Sequence, residues 1–204
     1  MNTAAHPVED TRTRLLATAL SLFTEHGVEG TSLQMIADAL GVTKAAVYYH
    51  FKTKADITEA VAEPALRELD EILDGAERLR RRGARVDHVL EGLVDLVVRY
   101  RTLVALFSSD PGIARAVEKS LHGAESFKVR LPGALLGPEP DTASLVTAHV
   151  ALAGIAIAGG SPELADLDDE TLRAHLLDVG RRMLSRPRKQ ARDAGVTAHV
   201  PPQA

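Results

Sequence analysis

The sequence predicts an all-α protein, a small N-terminal three-helix unit followed by a larger all-helical region. Three observations carry that prediction. Apolar residues recur at helical spacing along almost the whole chain, with no convincing alternating strand pattern. Helix-start signatures recur at Thr31-Ser32-Leu33-Gln34, Thr53-Lys54-Ala55-Asp56 and Asp110-Pro111. Glycines and prolines fall between the periodic segments, as at Gly137-Pro138-Glu139-Pro140-Asp141.

A flexible arm, residues 1–10, is expected before the first helix, and it lacks the apolar stretch of a signal peptide. The first helix runs from Thr11 to His26. Leu15, Leu16, Ala19, Leu22 and Phe23 form its apolar stripe, Arg12 and Arg14 stand at its exposed start, and Gly27 ends it. The second starts at Thr31 or Ser32, turns Leu33, Ile36, Ala37 and Leu40 inward, and is closed by Gly41. Thr43 caps a third helix of about eight residues, in which Val47 and Phe51, four apart, share the inward face. A fourth follows Thr53, with Pro64 expected to kink or restart it.

The stretch Gly75 to Arg85 contains Arg78, Arg80, Arg81, Arg82 and Arg85 and is expected to be a hinge. Its arginines form either a solvated helix end or a phosphate contact. A long helix over Asp87–Ser108, one opening at Asp110-Pro111, one over Ala124–Leu136, one ending near Gly159 and a last one over Asp168–Ser185 complete the chain. The basic end, residues 186–204, is expected to be disordered, and to serve as a solubilising tail or as a DNA-contacting arm. The apolar run Leu145 to Gly160 is short of the roughly 20 residues of a membrane span and is rich in Ala and Gly. It is expected to be a buried or interface helix, with no membrane partner.

Several functions are disfavoured. The chain has no cysteine, which excludes disulfides and thiolate metal sites and fits a reducing, cytoplasmic setting. The eight histidines are scattered, with none paired at i, i+3 or i, i+4, so no metal site is expected. There is no phosphate-binding glycine loop, no G-x-S-x-G and no H-E-x-x-H. Neither catalysis nor a cofactor is expected. The net charge of −4 hides a neutral first quarter, with five acids and five bases in residues 1–54. Three of those bases, Lys44, Lys52 and Lys54, fall within eleven residues.

That same short stretch holds three of the seven aromatic side chains, Tyr48, Tyr49 and Phe51. If Val47 and Phe51 point inward, then Lys44, Ala45, Tyr48 and Tyr49 largely point outward. Large aromatics outside a core call for a partner that covers them. Two short helices joined by a tight turn, with a third packed across them, is the helix-turn-helix arrangement, whose second helix can lie in the DNA major groove. Tyr and His can bond phosphate oxygens, and a Tyr ring can lie against a sugar or a thymine methyl. The alternative is a helical protein-interaction module that retains the motif without binding DNA.

The segment Glu29 to Ile57 resembles the DNA-binding domain of TetR-type one-component regulators. The resemblance rests on Thr31-Ser32, Ile36-Ala37, Gly41-Val42-Thr43, Val47-Tyr48-Tyr49-His50-Phe51 and Lys54, and extends over about Thr11 to Val61. It implies a helix-turn-helix domain over 11–57 and a ligand-binding and dimerisation domain over 58–185. It also implies roles for individual residues. Thr43 would cap the recognition helix and bind a phosphate, and Lys44, Ala45, Ala46 and Tyr48 would face bases. Tyr49, His50 and Lys54 would hold phosphates, as would Thr31 or Ser32. The sequence departs from the family at Ala45, often Gly, and at Gln34, often basic. Gln34 either reads adenine or closes the capping box.

The resemblance further implies a homodimer on a palindromic operator, acting as a repressor released by a small molecule. The expected interface is Ala148, Ala151, Leu152, Ile155, Leu172, Leu176, Val179 and Met183, on the last two helices. The expected ligand pocket is lined by Leu93, Val97, Tyr100, Leu103, Phe107, Phe127, Leu131, His149 and Leu152, a lining suited to an apolar or amphipathic molecule.

Overall fold

The structure is a computed structural model that describes residues 10–122, 127–137 and 139–184. Ten α-helices and one short 3-10 turn account for the order along these residues, and no strand occurs among them. The helices are α1 (Thr11–Gly30), α2 (Leu33–Leu40), α3 (Lys44–His50), α4 (Lys54–Glu77), α5 (Arg82–Arg99), α6 (Arg101–Ser109), α7 (Pro111–His122), α8 (Phe127–Leu136), α9 (Thr142–Gly159) and α10 (Asp169–Leu184). The expected N-terminal arm and basic tail lie outside the described residues.

The buried side chains form two clusters. The first holds Leu15, Ala19 and Phe23 of α1, Ile36 and Ala37 of α2, Val47 and Phe51 from and just after α3, and Ile57 of α4. Each large apolar side chain sealed there is worth about 1.5–3 kcal/mol relative to exposure. Leu103 and Leu106 of α6 and Ile113 of α7 belong to the same cluster. The core behind residues 11–57 is thus completed by helices about fifty residues downstream. The second cluster joins α4, α5 and α8 to α10 through Leu73, Val89, Leu90, Val94, Leu135, Ala148, Ala151, Ile155 and Leu172. Helix α4 contributes buried residues to both, Ile57 to Ala65 in one and Leu69 to Ala76 in the other. Its 24 residues span about 36 Å and connect the two cores rigidly. Arg130 of α8 strengthens that second half by pairing with Asp70, Asp74 and Glu77, one turn after another along α4.

Four details differ from the sequence expectation. Pro64 lies within α4 without restarting it. Gly75 is helical, and the expected hinge shrinks to residues 78–81 between α4 and α5. The arginines there occupy the end of α4 opposite the one that meets α3. The long helix over Asp87–Ser108 is two helices, broken at Tyr100 (φ −107°, ψ 31°). Finally, Gln34 does not close a capping box. Its amide donates to Asp38 Oδ1 at 2.7 Å, and Ser32 alone caps α2 by accepting from the Met35 N–H.

Candidate nucleic-acid interface

The turn between α2 and α3 is made by Gly41, whose left-handed backbone (φ 71°, ψ 32°) closes α2 with no cost from a Cβ. Two residues later the Thr43 hydroxyl accepts from the Ala46 N–H at 3.2 Å and starts α3. Val47 is fully buried and Phe51 nearly so, which fixes the roll of α3. The opposite face carries Lys44, Ala45, Tyr48 and Tyr49, all exposed. Tyr48 is 40% exposed and Tyr49 80% exposed, values far from those of core aromatics. Ala46 and His50 are half-buried.

These outward side chains are loosely organised among themselves. Lys44 Nζ lies 5.8 Å from the Tyr48 ring centroid, within cation–π range. The Tyr49 and His50 rings meet edge to face at 5.2 Å. Lys52 Nζ donates to the Tyr48 carbonyl at 2.8 Å, a cation at the negative end of α3. Thr43, Lys44, Tyr48 and Tyr49 thus form one outward face with one lysine, two phenols and no carboxylate in the helix itself, and Lys52 stands just beyond its end.

Flanking positions divide into those that reach this face and those that do not. Ser32 and Gln34 are exposed at the start of α2. Thr31, expected as a phosphate ligand, is only 2% exposed. Its hydroxyl donates to the carbonyls of Gly27 (2.8 Å) and Leu22 (3.2 Å), so it locks the α1–α2 corner. The reason is Gly27, whose φ of 71° breaks α1 and leaves carbonyls that need donors. Lys54 is partly exposed, and its ammonium donates to the Glu29 carbonyl at 3.2 Å and lies 3.5 Å from the Glu29 carboxylate. One N–H of the first turn of α4, that of Asp56, is already taken by the Thr53 hydroxyl at 3.1 Å. Thr53 and Asp56 form a reciprocal capping box, and Asp56 Oδ2 also accepts from Lys52 N. These bonds hold the Asp56 pKa below its ordinary value, the Thr53 hydroxyl contributing most.

Comparison with known proteins places this geometry. Residues 15–61 match the family described as bacterial regulatory proteins, tetR family. Residues 15–61 are thus a tetR-family domain. The HTH-type transcriptional regulator AcrR of Shigella flexneri is 47% identical over 55 residues, 27% of this chain and 26% of AcrR. The probable acrEF/envCD operon repressor of Escherichia coli K12 is 44% identical over 61 residues, 29% of this chain and 28% of that protein. The similarity thus spans about a quarter of the curated relatives' length.

Solved structures extend the likeness to the fold of nearly the whole chain. Mycobacterium smegmatis AmtR superposes with a TM-score of 0.64 at 20% identity, covering 90% of each chain. AibR, solved with isovaleryl coenzyme A and operator DNA, gives 0.60 at 20%, covering 83% of this chain and 97% of AibR. FadR of Bacillus subtilis, solved with stearoyl-CoA, gives 0.59 at 16%, covering 84% and 97%.

The residues expected to line a pocket are only partly brought together. Leu93, Val97 and Leu131 are buried in the second cluster, with Leu152 and Tyr100 packed against it. Leu103 belongs to the other cluster. Phe107 is 45% exposed, and His149 is exposed, its ring held by the Leu145 carbonyl of its own helix. Neither faces the interior. The Phe127 side chain lies outside the described residues.

The expected dimer surface needs a larger correction. Ala148, Ala151, Ile155, Leu172 and Leu176 are buried in the chain's own core, and Leu152 and Met183 pack against it. Only Val179 is exposed. The outer face of α9 instead presents Val146, Val150 and Ile157, each more than half exposed. Helix α9 is apolar enough around its whole circumference, and long enough, to cross a membrane by composition, yet only 22% of it is buried. A helix apolar all round gives no periodicity from which to choose its inward face.

Proposed function

We propose that the chain is a one-component transcriptional repressor. It binds a palindromic operator as a homodimer and lets go when an apolar or amphipathic small molecule enters the helical domain. One observation carries the DNA reading. Tyr48 and Tyr49 are exposed beside Lys44 on a helix pinned from behind by Val47 and Phe51, within a TetR-family domain. In this reading Thr43, Tyr49, His50, Lys54 and Ser32 position the protein on phosphates. Lys44, Ala45, Ala46, Tyr48 and Gln34 meet base edges. The chain acts by binding rather than catalysis, in the cytoplasm where the DNA is.

Two further features support the finer parts. One seven-residue recognition helix makes too few base contacts for a genomic site, so a two-fold pair of heads is required. The uncovered valines and isoleucine of α9, with Val179 of α10, form an apolar surface that a second copy would seal. The effector proposal rests on Leu93, Val97, Leu131, Leu152 and Tyr100, an aliphatic set with one phenol. AibR and B. subtilis FadR, solved with acyl-coenzyme A ligands, make acyl-CoAs the first effectors to try.

The deciding experiment is selection of bound fragments from a random DNA pool. A palindrome is the expected result. A Lys44→Ala, Tyr48→Ala double variant should then bind that palindrome at least about tenfold more weakly. An undiminished affinity in a folded double variant would refute the assigned face.

A further inference from the structure

Besides the buried Leu103, Leu106 and Ile113, the α6–α7 corner holds the DNA-binding head by one carboxylate bonded on both sides. Asp110 Oδ1 accepts from the N–H groups of Gly112 (2.7 Å) and Ile113 (3.2 Å) at the start of α7. Its Oδ2 accepts from the Val28 N–H at 2.7 Å, across 82 residues of sequence. Val28 follows Gly27, where α1 breaks. Close approach is built in, because a Cβ on Gly112 would stand 2.8 Å from the Val28 side chain. Burial works against the Asp110 charge. The N–H groups of Val28, Gly112 and Ile113 and the charge of Arg115 outweigh it, and the pKa lies below the ordinary Asp value.

The neighbouring residue extends the grip. Glu29 pairs with Arg115 of α7 at 3.2 Å and, through its other oxygen, with Lys54 at 3.5 Å. Three residues after Glu29, Ser32 caps α2. One short turn, 28–30, is therefore held by α7 on one side and by a proposed phosphate-binding lysine on the other.

We infer that Asp110 is a positioning residue through which the helical domain and the DNA-binding head sense each other's state, alongside the Glu29–Arg115 pair. The inference rests on the DNA reading above. A DNA phosphate drawing Lys54 away from Glu29 leaves that carboxylate to Arg115, and the shift of turn 28–30 reaches α7 through the Asp110–Val28 bond. Linkage makes the coupling reciprocal, so movement of α7 in the helical domain must re-aim the head.

Reciprocity allows a test without knowing the effector. Amide hydrogen exchange would be followed in the full-length protein, with and without the selected operator DNA. In the unaltered protein, operator should change exchange across α7 about fivefold or more, the lower end of ordinary coupling. Asp110→Asn cannot accept on both sides. Its Val28 amide should exchange about tenfold faster, and α7 should cease to respond while DNA remains bound. Gly112→Ala, which wedges α7 away from Val28, should give the same loss and serves if the Asn variant does not fold. Operator binding with no response in α7, or a response that survives in either folded variant, overturns the clasp and leaves the DNA reading intact. Failure of the unaltered protein to select any DNA sinks the DNA reading itself.

Discussion

Val47 and Tyr49 stand two residues apart on α3, one fully buried and the other four-fifths exposed, and substitutions on the two faces should behave in opposite ways. Phe51→Ala empties a nearly sealed site shared by α1, α3 and α4 and should cost about 3–5 kcal/mol. Tyr49→Ala removes an aromatic that touches little of the core, and its stability should change by no more than about 0.5 kcal/mol. Operator affinity should separate them the other way, since Tyr49→Ala loses a contact in a folded protein. Urea unfolding beside fluorescence anisotropy on the selected operator measures both. This division was legible in the sequence because Val47 and Phe51 are four apart, which fixes the roll of a helix. The role of Thr31 was not, because a threonine before a helix signals a cap whether or not it is buried. What buries it is the break at Gly27, a tertiary fact.

Helix ends and turns set the next scale. Gly41 adopts a left-handed conformation with open space where a Cβ would lie. Gly41→Ala should therefore cost about 1–2 kcal/mol from backbone conformation alone, with no clash to relieve. Thermal unfolding of that variant checks it. The caps also make stability depend on acid. Asp56, Asp141 and Asp168 each accept hydrogen bonds at a helix start, and each has its pKa held below the ordinary 3.8. A carboxylate with a lowered folded pKa contributes stability that is fully present above the unfolded value and is lost as pH falls through the folded one. The melting temperature should thus be flat near neutrality and fall below about pH 4. Asp56→Asn should lower it at pH 7 and make the acid slope shallower. An unchanged slope would remove Asp56 from this account.

Element boundaries show where local sequence signals stop. Helix starts at Ser32, Thr43, Thr53 and Asp110 were visible because capping chemistry is local. The break at Tyr100 was not, since neither glycine nor proline marks it. There the chain leaves one core for the other, and Tyr100 packs against both.

At the scale of the whole molecule, helix α9 carries the apolar surface that the proposed dimer would use. Its sequence offered apolar residues on every side, so the inward Ala148, Ala151 and Ile155 could not be told from the outward Val146, Val150 and Ile157. Packing against α5 and α10 made the choice, and the small residues went inside because those helices approach closely there. What remains outside is an apolar strip on a chain whose net charge is only −4, and such a strip favours association. Val150→Glu with Ile157→Glu places two carboxylates on that strip without touching the core. Helical content and melting temperature should hold, because both sites are more than half exposed. Sedimentation should report the monomer where the unaltered chain sediments as a dimer. Operator affinity should drop much further than in Tyr49→Ala, because each head alone reads only half a palindrome. A doubly substituted chain that still sediments as a dimer would move the interface off α9. One that sediments as a monomer yet binds the operator undiminished would show that the heads act singly.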